Sequence, residues 1–204
     1  MEPGGTGTNA SIRRMLPDLP ALPITVDLLP YEARLEERPL AQIDLVVIHC
    51  TELPDMAMAR EFGERVLYDS GTGNSGHYYI DRDGTVFQYV SLHRIAHHVR
   101  GYNARAIGVE LVNTGRYPGW LDSRNQAMDE PYTDAQVTSL IALLRKLREE
   151  LPSLTQIAGH EDLDTTTTAA SDDPTVQVPR KRDPGPLFPW PRVLGAVELQ
   201  RLLP

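Results

Sequence analysis

Two histidines and one aspartate in this 204-residue sequence have the chemistry of metal ligands. His49 and His160 each follow a short apolar run that is typical of a buried strand, and Asp183 lies in a loop further along the chain. Imidazole nitrogens and carboxylate oxygens bind zinc, and catalytic zinc sites use three protein ligands while one position stays open for water. The three residues therefore predict a zinc-dependent hydrolase.

Other interpretations of the same residues stay open at this point. Either histidine, taken alone, is more typical of a core residue that hydrogen-bonds a neighbour, because buried polar groups usually find partners. Cys50 suggests a different chemistry, in which a cysteine nucleophile is activated by a histidine base. Adjacent strand residues point to opposite faces, so Cys50 cannot use His49 as its base, and a buried, inert thiol is favoured.

The strands that must position these residues are predicted from apolar runs. Residues 43–50 are almost continuously apolar and β-branched, as expected for a strand that is covered on both faces, and residues 106–113 form a second such run. Residues 77–81 and 85–90 flank an Asp-Gly pair, which predicts a β-hairpin. Residues 154–158 predict one more short strand, which leads to the second histidine.

Three helices are predicted between and after these strands. The first begins at Pro54 and Asp55 and runs to about Tyr68. The second, residues 133–151, begins with the pattern of a capping box and carries an apolar stripe at helical spacing. The third starts at Pro191 and runs to about residue 203, because proline favours the first positions of a helix.

Strands and helices that alternate along a chain predict an α/β fold, here a single domain with a central mixed β-sheet flanked by helices. We expect this domain over residues 41–204, a length that allows one sizeable core. Residues 1–40 are rich in glycine and proline and lack a sustained periodicity. They are therefore expected to form an N-terminal arm or extension.

Charge and composition exclude several kinds of partner. The formal net charge is −8, so the chain lacks the basic surface that nucleic-acid binding requires. No apolar run approaches the roughly 20 residues that a membrane span requires. The first residues show neither a basic nor an apolar segment typical of a signal peptide, so we expect a cytoplasmic location rather than a periplasmic or secreted one. We also expect a monomer.

Seven short motifs follow one another between residues 43 and 194: Val47–His49, Ser75–Tyr78 with Arg82–Gly84, Ala96–His98, Ile107–Leu111, Tyr132–Gln136, Gly159–His160 and Lys181–Pro186. In this order they resemble the zinc-dependent N-acetylmuramoyl-L-alanine amidases of the amidase-2 family, which includes AmpD-type amidases, certain phage amidases and peptidoglycan recognition proteins. The resemblance covers nearly the whole predicted domain. It implies hydrolysis of the amide bond between the lactyl group of N-acetylmuramic acid and L-alanine, in peptidoglycan or in muramyl peptides.

The resemblance also implies a role for individual residues. His49, His160 and Asp183 would hold the zinc ion, and Glu110 would be the general base that takes a proton from the attacking water. Lys181 would stabilise the oxyanion of the tetrahedral intermediate. Without the resemblance, Glu110 is equally typical of an exposed strand residue, and Lys181 of a solvated basic patch.

Three more residues match positions of the family near its site. His77 and His98 are expected to contact the substrate or to support the metal ligands, and Asn103 is a candidate substrate contact. Strand alternation places Glu110 on the face opposite its apolar neighbours, together with Gly108. We expect the glycine to leave space for the substrate beside Glu110.

One segment departs from the family pattern. The loop from Thr165 to Pro179 is longer than in AmpD-type amidases, and we expect it to border the cleft because it lies between two predicted ligands. Asp172 or Asp173 in this loop could compete with Asp183 as the third ligand. A non-catalytic peptidoglycan-binding module of the same fold is the alternative function, since some recognition proteins of the fold have lost a zinc ligand.

Overall fold

Seven strands form the sheet that carries the predicted site residues, in a computed structural model that describes residues 22–203. The strands of this part of the chain are β1 (Ile24–Val26), β2 (Leu45–Cys50), β3 (Tyr78–Ile80), β4 (Val86–Gln88), β5 (Ala106–Leu111), β6 (Gln156–Gly159), β7 (Thr167–Ala169), β8 (Gln177–Pro179) and β9 (Gln200–Arg201). The helices are α1 (Met56–Glu64), α2 (Asp134–Glu150), α3 (His160–Leu163) and α4 (Trp190–Leu194), with short 3-10 helices at Glu32–Arg34 and Leu40–Gln42.

The sheet has the strand order β1-β4-β3-β5-β2-β6-β9 and is mixed, as predicted. Only the β3–β4 hairpin is antiparallel, and the other neighbouring pairs are parallel. β2 lies between β5 and β6, and all six of its residues are buried. Its continuous apolar sequence is explained by this central place, because parallel strands are covered on both faces.

Helix α2 covers one face of the sheet and begins with the predicted capping box. The Thr133 hydroxyl accepts from the backbone N–H of Gln136 at 3.0 Å, and the Gln136 side chain accepts from the backbone N–H of Thr133 at 3.1 Å. The apolar stripe of α2 is buried against Ile48 and Val109 of the central strands. The residues that alternate with these therefore point to the opposite face of the sheet.

The opposite face brings the polar strand residues into one row. His49 on β2 is directly paired with Glu110 on β5, and Glu110 is paired with Tyr79 on β3. Paired residues on neighbouring strands share a face, so the three side chains project together from the sheet. This register confirms that Glu110 lies on the face opposite Ile107 and Val109.

Two of the predicted helices are shorter than expected. Asp55 caps α1, since its side chain accepts from the N–H of Met58 at 2.8 Å, but the helix ends at Glu64 rather than near Tyr68. The N–H groups of Leu67 and Tyr68 bind the carbonyl of Thr72 instead, at 2.9 and 3.0 Å. A local turn therefore satisfies donors that a longer helix would have used.

The C-terminal helix was also predicted too long. α4 ends at Leu194, and the chain then adds β9 to the edge of the sheet beside β6. Leu202 donates its N–H to Ile157 at 2.8 Å, which gives the edge strand a backbone partner that a helix would not supply.

The segment from Thr165 to Pro179 is not an irregular loop but contains an antiparallel hairpin of β7 and β8. Its tip is bound to the segment that follows β5. Ser171 donates its N–H to Leu121 at 2.8 Å, and Ser123 donates both its N–H and its hydroxyl to Asp172 at 2.7 Å. The hairpin is thus held against a second loop rather than extending freely into solvent.

The described part of the predicted N-terminal arm packs on the domain. β1 extends the sheet beside β4, and Leu29, Tyr31 and Leu35 are buried. The rest of the arm, residues 1–21, lies outside the described residues. Across residues 22–203 we find no helix with the length and hydropathy of a membrane span.

Candidate metal centre and cleft

Two parallel strands and the segment after the hairpin bring the three predicted ligands together. His49 is the last but one residue of β2, and His160 begins α3 directly after β6. β2 and β6 are parallel neighbours, with Ile48 paired to Gly159. Both histidines therefore lie at the carboxyl ends of their strands, on the same side of the sheet's outline. Asp183 joins them through its backbone carbonyl, which accepts from the N–H of the residue after His160 at 2.9 Å.

The three side chains converge on one buried point. His49 Nδ1 lies 2.7 Å and His160 Nδ1 3.1 Å from the same oxygen, Oδ2 of Asp183. Donor atoms on a tetrahedral zinc ion with bonds of 2.0–2.1 Å are about 3.3 Å apart, so the 3.1 Å spacing is close to that of zinc ligands and the 2.7 Å spacing is shorter. The other oxygen of Asp183 is buried and has no hydrogen-bond partner among residues 22–203. The set could therefore hold a metal ion.

Protonation in the site also suits a cation. Burial lowers the pKa of His49 to about 4, so the ring is neutral near pH 7 and can offer a lone pair. Burial alone would raise the pKa of Asp183, but the positive charge that His160 and His49 carry when protonated, together with their hydrogen bonds to the carboxylate, holds it well below its ordinary value. An ionised carboxylate beside neutral imidazoles is the protonation state that metal binding requires.

His98 lies directly behind the first ligand. Its Nδ1 is 3.0 Å from His49 Nε2, the ring nitrogen of His49 that faces away from Asp183. Such a contact fixes the orientation and tautomer of a metal-binding histidine. Asn103 holds the loop in place, because its side-chain oxygen accepts from the N–H groups of His98 and Val99 at 3.0 and 2.8 Å.

Gly108 has a different role from the one expected. A Cβ atom at this position would lie 2.7 Å from Cγ of His98. The absence of a side chain therefore makes room for the imidazole that supports His49, and not for substrate beside Glu110.

His77 does not line the cleft. It is fully buried, its Nδ1 accepts from the N–H of Gly108 at 3.0 Å, and its Nε2 lies 2.8 Å from the Arg38 guanidinium. Its ring packs against that of His98 with centroids 5.7 Å apart. Of the two roles expected for His77, the geometry is that of support from behind and not of substrate contact.

A cleft of about 870 Å³ opens over the three ligands. One part of its lining is polar and includes cationic groups, while another part consists of apolar side chains from α1 and from the loops after β2 and β5. The polar part includes Glu110, Arg100 and Lys181, and the apolar part includes Leu53, Phe62 and Trp120.

Glu110 and Lys181 are both half-buried in this cleft. Burial, followed by the charge of Asp183, raises the pKa of Glu110 well above its ordinary value, and the charge of Lys181 opposes this rise. A raised pKa brings a carboxylate closer to the range in which a general base works best near neutral pH. Lys181 lies in the lining of the same cleft as the three ligands and is not fully exposed.

The aspartates of the hairpin do not reach the site. Asp172 and Asp173 are exposed, and Asp172 binds Ser123 of the neighbouring loop. Within residues 22–203 the group of metal-binding side chains that forms here consists of His49, His160 and Asp183.

Several cleft residues were not singled out from the sequence. Glu52 and Arg116 form a buried ion pair in the wall, with Nε–Oε1 and Nη2–Oε2 distances of 2.6 and 2.9 Å. Tyr79 lies in the same row as Glu110. Alternation along the predicted strand of residues 77–81 could have indicated which face of that strand Tyr79 occupies. Charged and aromatic residues in loops show no periodicity that would distinguish Arg116 or Trp120 from surface residues.

The fold and the site together define a class of enzyme. Two histidines and an aspartate that could hold a metal ion, with a further carboxylate on the neighbouring strand, are the arrangement that metal-dependent hydrolases use.

Comparison with known proteins identifies the family. The sequence profile described as N-acetylmuramoyl-L-alanine amidase matches residues 39–186, so the chain belongs to this family. The 1,6-anhydro-N-acetylmuramyl-L-alanine amidase AmpD of Haemophilus influenzae is 29% identical over 191 residues, which are 80% of this chain and 88% of that protein. Matches to four further AmpD enzymes span 51% to 58% of their length.

Solved structures share the fold. A selenomethionine derivative of AmpD superposes with a TM-score of 0.61 at 24% identity, over 85% of this chain and 94% of that one. The Escherichia coli amidase AmiD, solved with the substrate anhydro-N-acetylmuramic acid-L-Ala-D-γ-Glu-L-Lys, gives 0.58 at 23% identity, over 76% of this chain and 57% of that one.

Proposed function

We propose that this protein is a zinc-dependent N-acetylmuramoyl-L-alanine amidase, which hydrolyses the amide bond between the lactyl group of N-acetylmuramic acid and L-alanine. The observation that carries the proposal is the convergence of His49, His160 and Asp183 beside Glu110 in the lining of one cleft. Membership of the amidase family supports the same reaction.

The residues of the chain have separate tasks in this proposal. Zinc, when held by the two histidines and Asp183, would polarise the amide carbonyl and acidify the attacking water. Glu110 accepts the proton of that water and returns it to the departing amine of L-alanine. Lys181 donates a hydrogen bond to the oxygen that becomes negatively charged as the carbonyl is attacked. The ring of His98 keeps the orientation of the first ligand.

The substrate we propose is a soluble 1,6-anhydromuramyl peptide, with the cytoplasm as the expected location. The names of the AmpD relatives and the ligand solved with AmiD favour this class of molecule. A concave cleft of about 870 Å³ suits a ligand of this size. Rates on soluble anhydromuramyl peptide and on purified sacculi, compared at equal concentrations of cleavable bonds, test the choice. A higher rate on sacculi would contradict it.

Metal removal is expected to abolish the reaction. Dialysis against a chelator should reduce release of the stem peptide from a muramyl peptide by at least about 100-fold, because the bound metal would polarise the carbonyl and acidify the water. Addition of one equivalent of zinc should restore the rate. Zinc content and peptide release are measured on the same samples. A non-catalytic binding module would bind the peptide without releasing it, and full activity in the metal-free protein would contradict the zinc mechanism.

Replacement of the single cysteine is expected to have almost no effect. Burial, followed by the charges of Asp183 and Glu52, raises the pKa of Cys50 well above its ordinary value, so the thiolate that nucleophilic attack requires is scarce. Cys50→Ala should retain kcat within about twofold, with folding checked by circular dichroism. A folded Cys50→Ala protein without turnover would instead support a cysteine amidohydrolase.

A further inference from the structure

The guanidinium of Arg116 is buried in the cleft wall and joins three separate segments. Only 1% of the residue is exposed. It binds both carboxylate oxygens of Glu52, donates through Nη1 to the backbone carbonyl of Pro179 at 2.9 Å, and contacts Gln126 through the same nitrogen at 3.3 Å. The planar fork of arginine allows such simultaneous contacts, which a lysine cannot reproduce.

Two of these partners lie at the ends of strands that lead into the site. Glu52 follows His49 by three residues and lies two residues beyond the end of β2. Pro179 ends β8 and precedes Lys181 by two residues. The Arg116 side chain therefore connects the strand that carries the proposed metal ligand His49 to the strand that leads to Lys181, the residue predicted to stabilise the oxyanion.

The backbone around the pair is held in an uncommon conformation. Glu52 has a φ of 49°, a region that side chains other than glycine rarely occupy. Its carbonyl accepts from the indole N–H of Trp120 at 3.1 Å. A Cβ at Gly115 would lie 2.7 Å from Cγ of Glu52, so the next loop must pass closely over the pair. Conformations of this kind persist where surrounding contacts enforce them, often at functional sites.

Lys181 depends on this connection more than Asp183 does. Asp183 is anchored separately, because its backbone carbonyl accepts from the N–H of Glu161 and its carboxylate contacts both histidines. The main-chain path to Lys181 runs from the carbonyl that Arg116 binds through Arg180, whose N–H binds the carbonyl of Thr166 at the base of the same hairpin at 2.9 Å. Movement at Pro179 would thus shift the ammonium group before it disturbed the metal ligands.

We propose that Arg116 is a positioning residue, which acts through Pro179 to set the place of the Lys181 ammonium group in the cleft. This inference rests on the proposed function, in which Lys181 stabilises the oxyanion. Small errors in the position of such a group have large effects on rate, since a displacement of about 1 Å can cost about 100-fold.

The test is a double-mutant cycle on the zinc-loaded, full-length protein. Glu52→Gln with Arg116→Met removes both charges together, so that neither is left buried alone. This pair is combined with Lys181→Met, and kcat, KM and zinc affinity are measured for all four proteins. Arg82→Met with Glu130→Gln is the matched control. That pair is also bidentate, at 2.7 and 3.2 Å, and Arg82 likewise donates to a proline carbonyl, that of Pro54.

The expected results separate positioning from stability. The Glu52/Arg116 variant should lower kcat about tenfold, with KM and zinc affinity within twofold, and should have less than a twofold effect in the Lys181→Met protein. Two substitutions that act through the same group have non-additive effects on kcat. An effect that arises from a general loss of stability would instead add to the effect of Lys181→Met. The control should lower the melting temperature but leave kcat unchanged.

Other results overturn the inference. An unchanged kcat, or equal losses with and without Lys181, would exclude action through that residue. If the pair variant does not fold, Arg116→Lys is carried through the same cycle and judged by the same criteria. Absence of activity in the wild-type protein would instead contradict the proposed function itself.

Discussion

Replacing Glu110 with glutamine is expected to lower kcat by about 1000-fold while the metal stays bound. The substitution keeps the shape and the strand pairing with His49 but removes the proton acceptor. General bases typically contribute between about 100-fold and 10,000-fold to a rate. Burial also raises the pKa of Glu110 well above its ordinary value, which brings the carboxylate closer to the range in which a general base works best near neutral pH.

The measurement is steady-state release of the stem peptide together with zinc content per chain. Glu149→Gln on the exposed side of α2 is the matched control and should behave like the wild type. A Glu110→Gln protein with wild-type kcat would exclude Glu110 as the base. Loss of zinc in the same variant would show that it supports the metal instead.

Asp183→Ala is expected to weaken zinc binding by more than about 100-fold and to abolish turnover. Loss of a residue that merely supports a zinc ligand already costs 10- to 100-fold in affinity. Asp183 is more central, since one of its oxygens lies within 3.1 Å of Nδ1 of both histidines. The variant should still fold, because its backbone carbonyl retains the bond from Glu161.

Zinc retained after competition with a chelator of known affinity measures this effect. Asp172→Ala is the matched control, because the sequence alone allowed this exposed aspartate as an alternative third ligand. The control should retain zinc at wild-type levels. Stoichiometric zinc in Asp183→Ala, with loss in Asp172→Ala, would reverse the assignment.

The sequence by itself determined the types of the main elements and the faces of the central strands. The apolar run of residues 43–50 predicted a strand covered on both sides, and the structure has it as β2. The Thr133–Gln136 capping box predicted the start of α2, and alternation predicted the face of Glu110. These features are local, because they depend on the spacing and the intrinsic propensity of a few neighbouring residues.

The proposed metal ligands were inferred in a different way. Each histidine alone was more typical of a satisfied core residue, and the set became specific through the ordered motifs that resemble the amidase family. The structure then placed His49, His160 and Asp183 around one point. Local sequence patterns cannot predict that these three side chains converge, because the residues come from separate segments of the chain.

Only the tertiary structure decided which distant residues meet. The contact of His98 with His49 requires the gap above Gly108, and the Arg116 contacts join the ends of β2 and β8. The last helix also ends earlier than predicted, because the chain that follows it pairs with the edge of β6 as strand β9. Such contacts depend on register and packing over the whole core, whereas sequence periodicity reports only the neighbours of a residue along its own element.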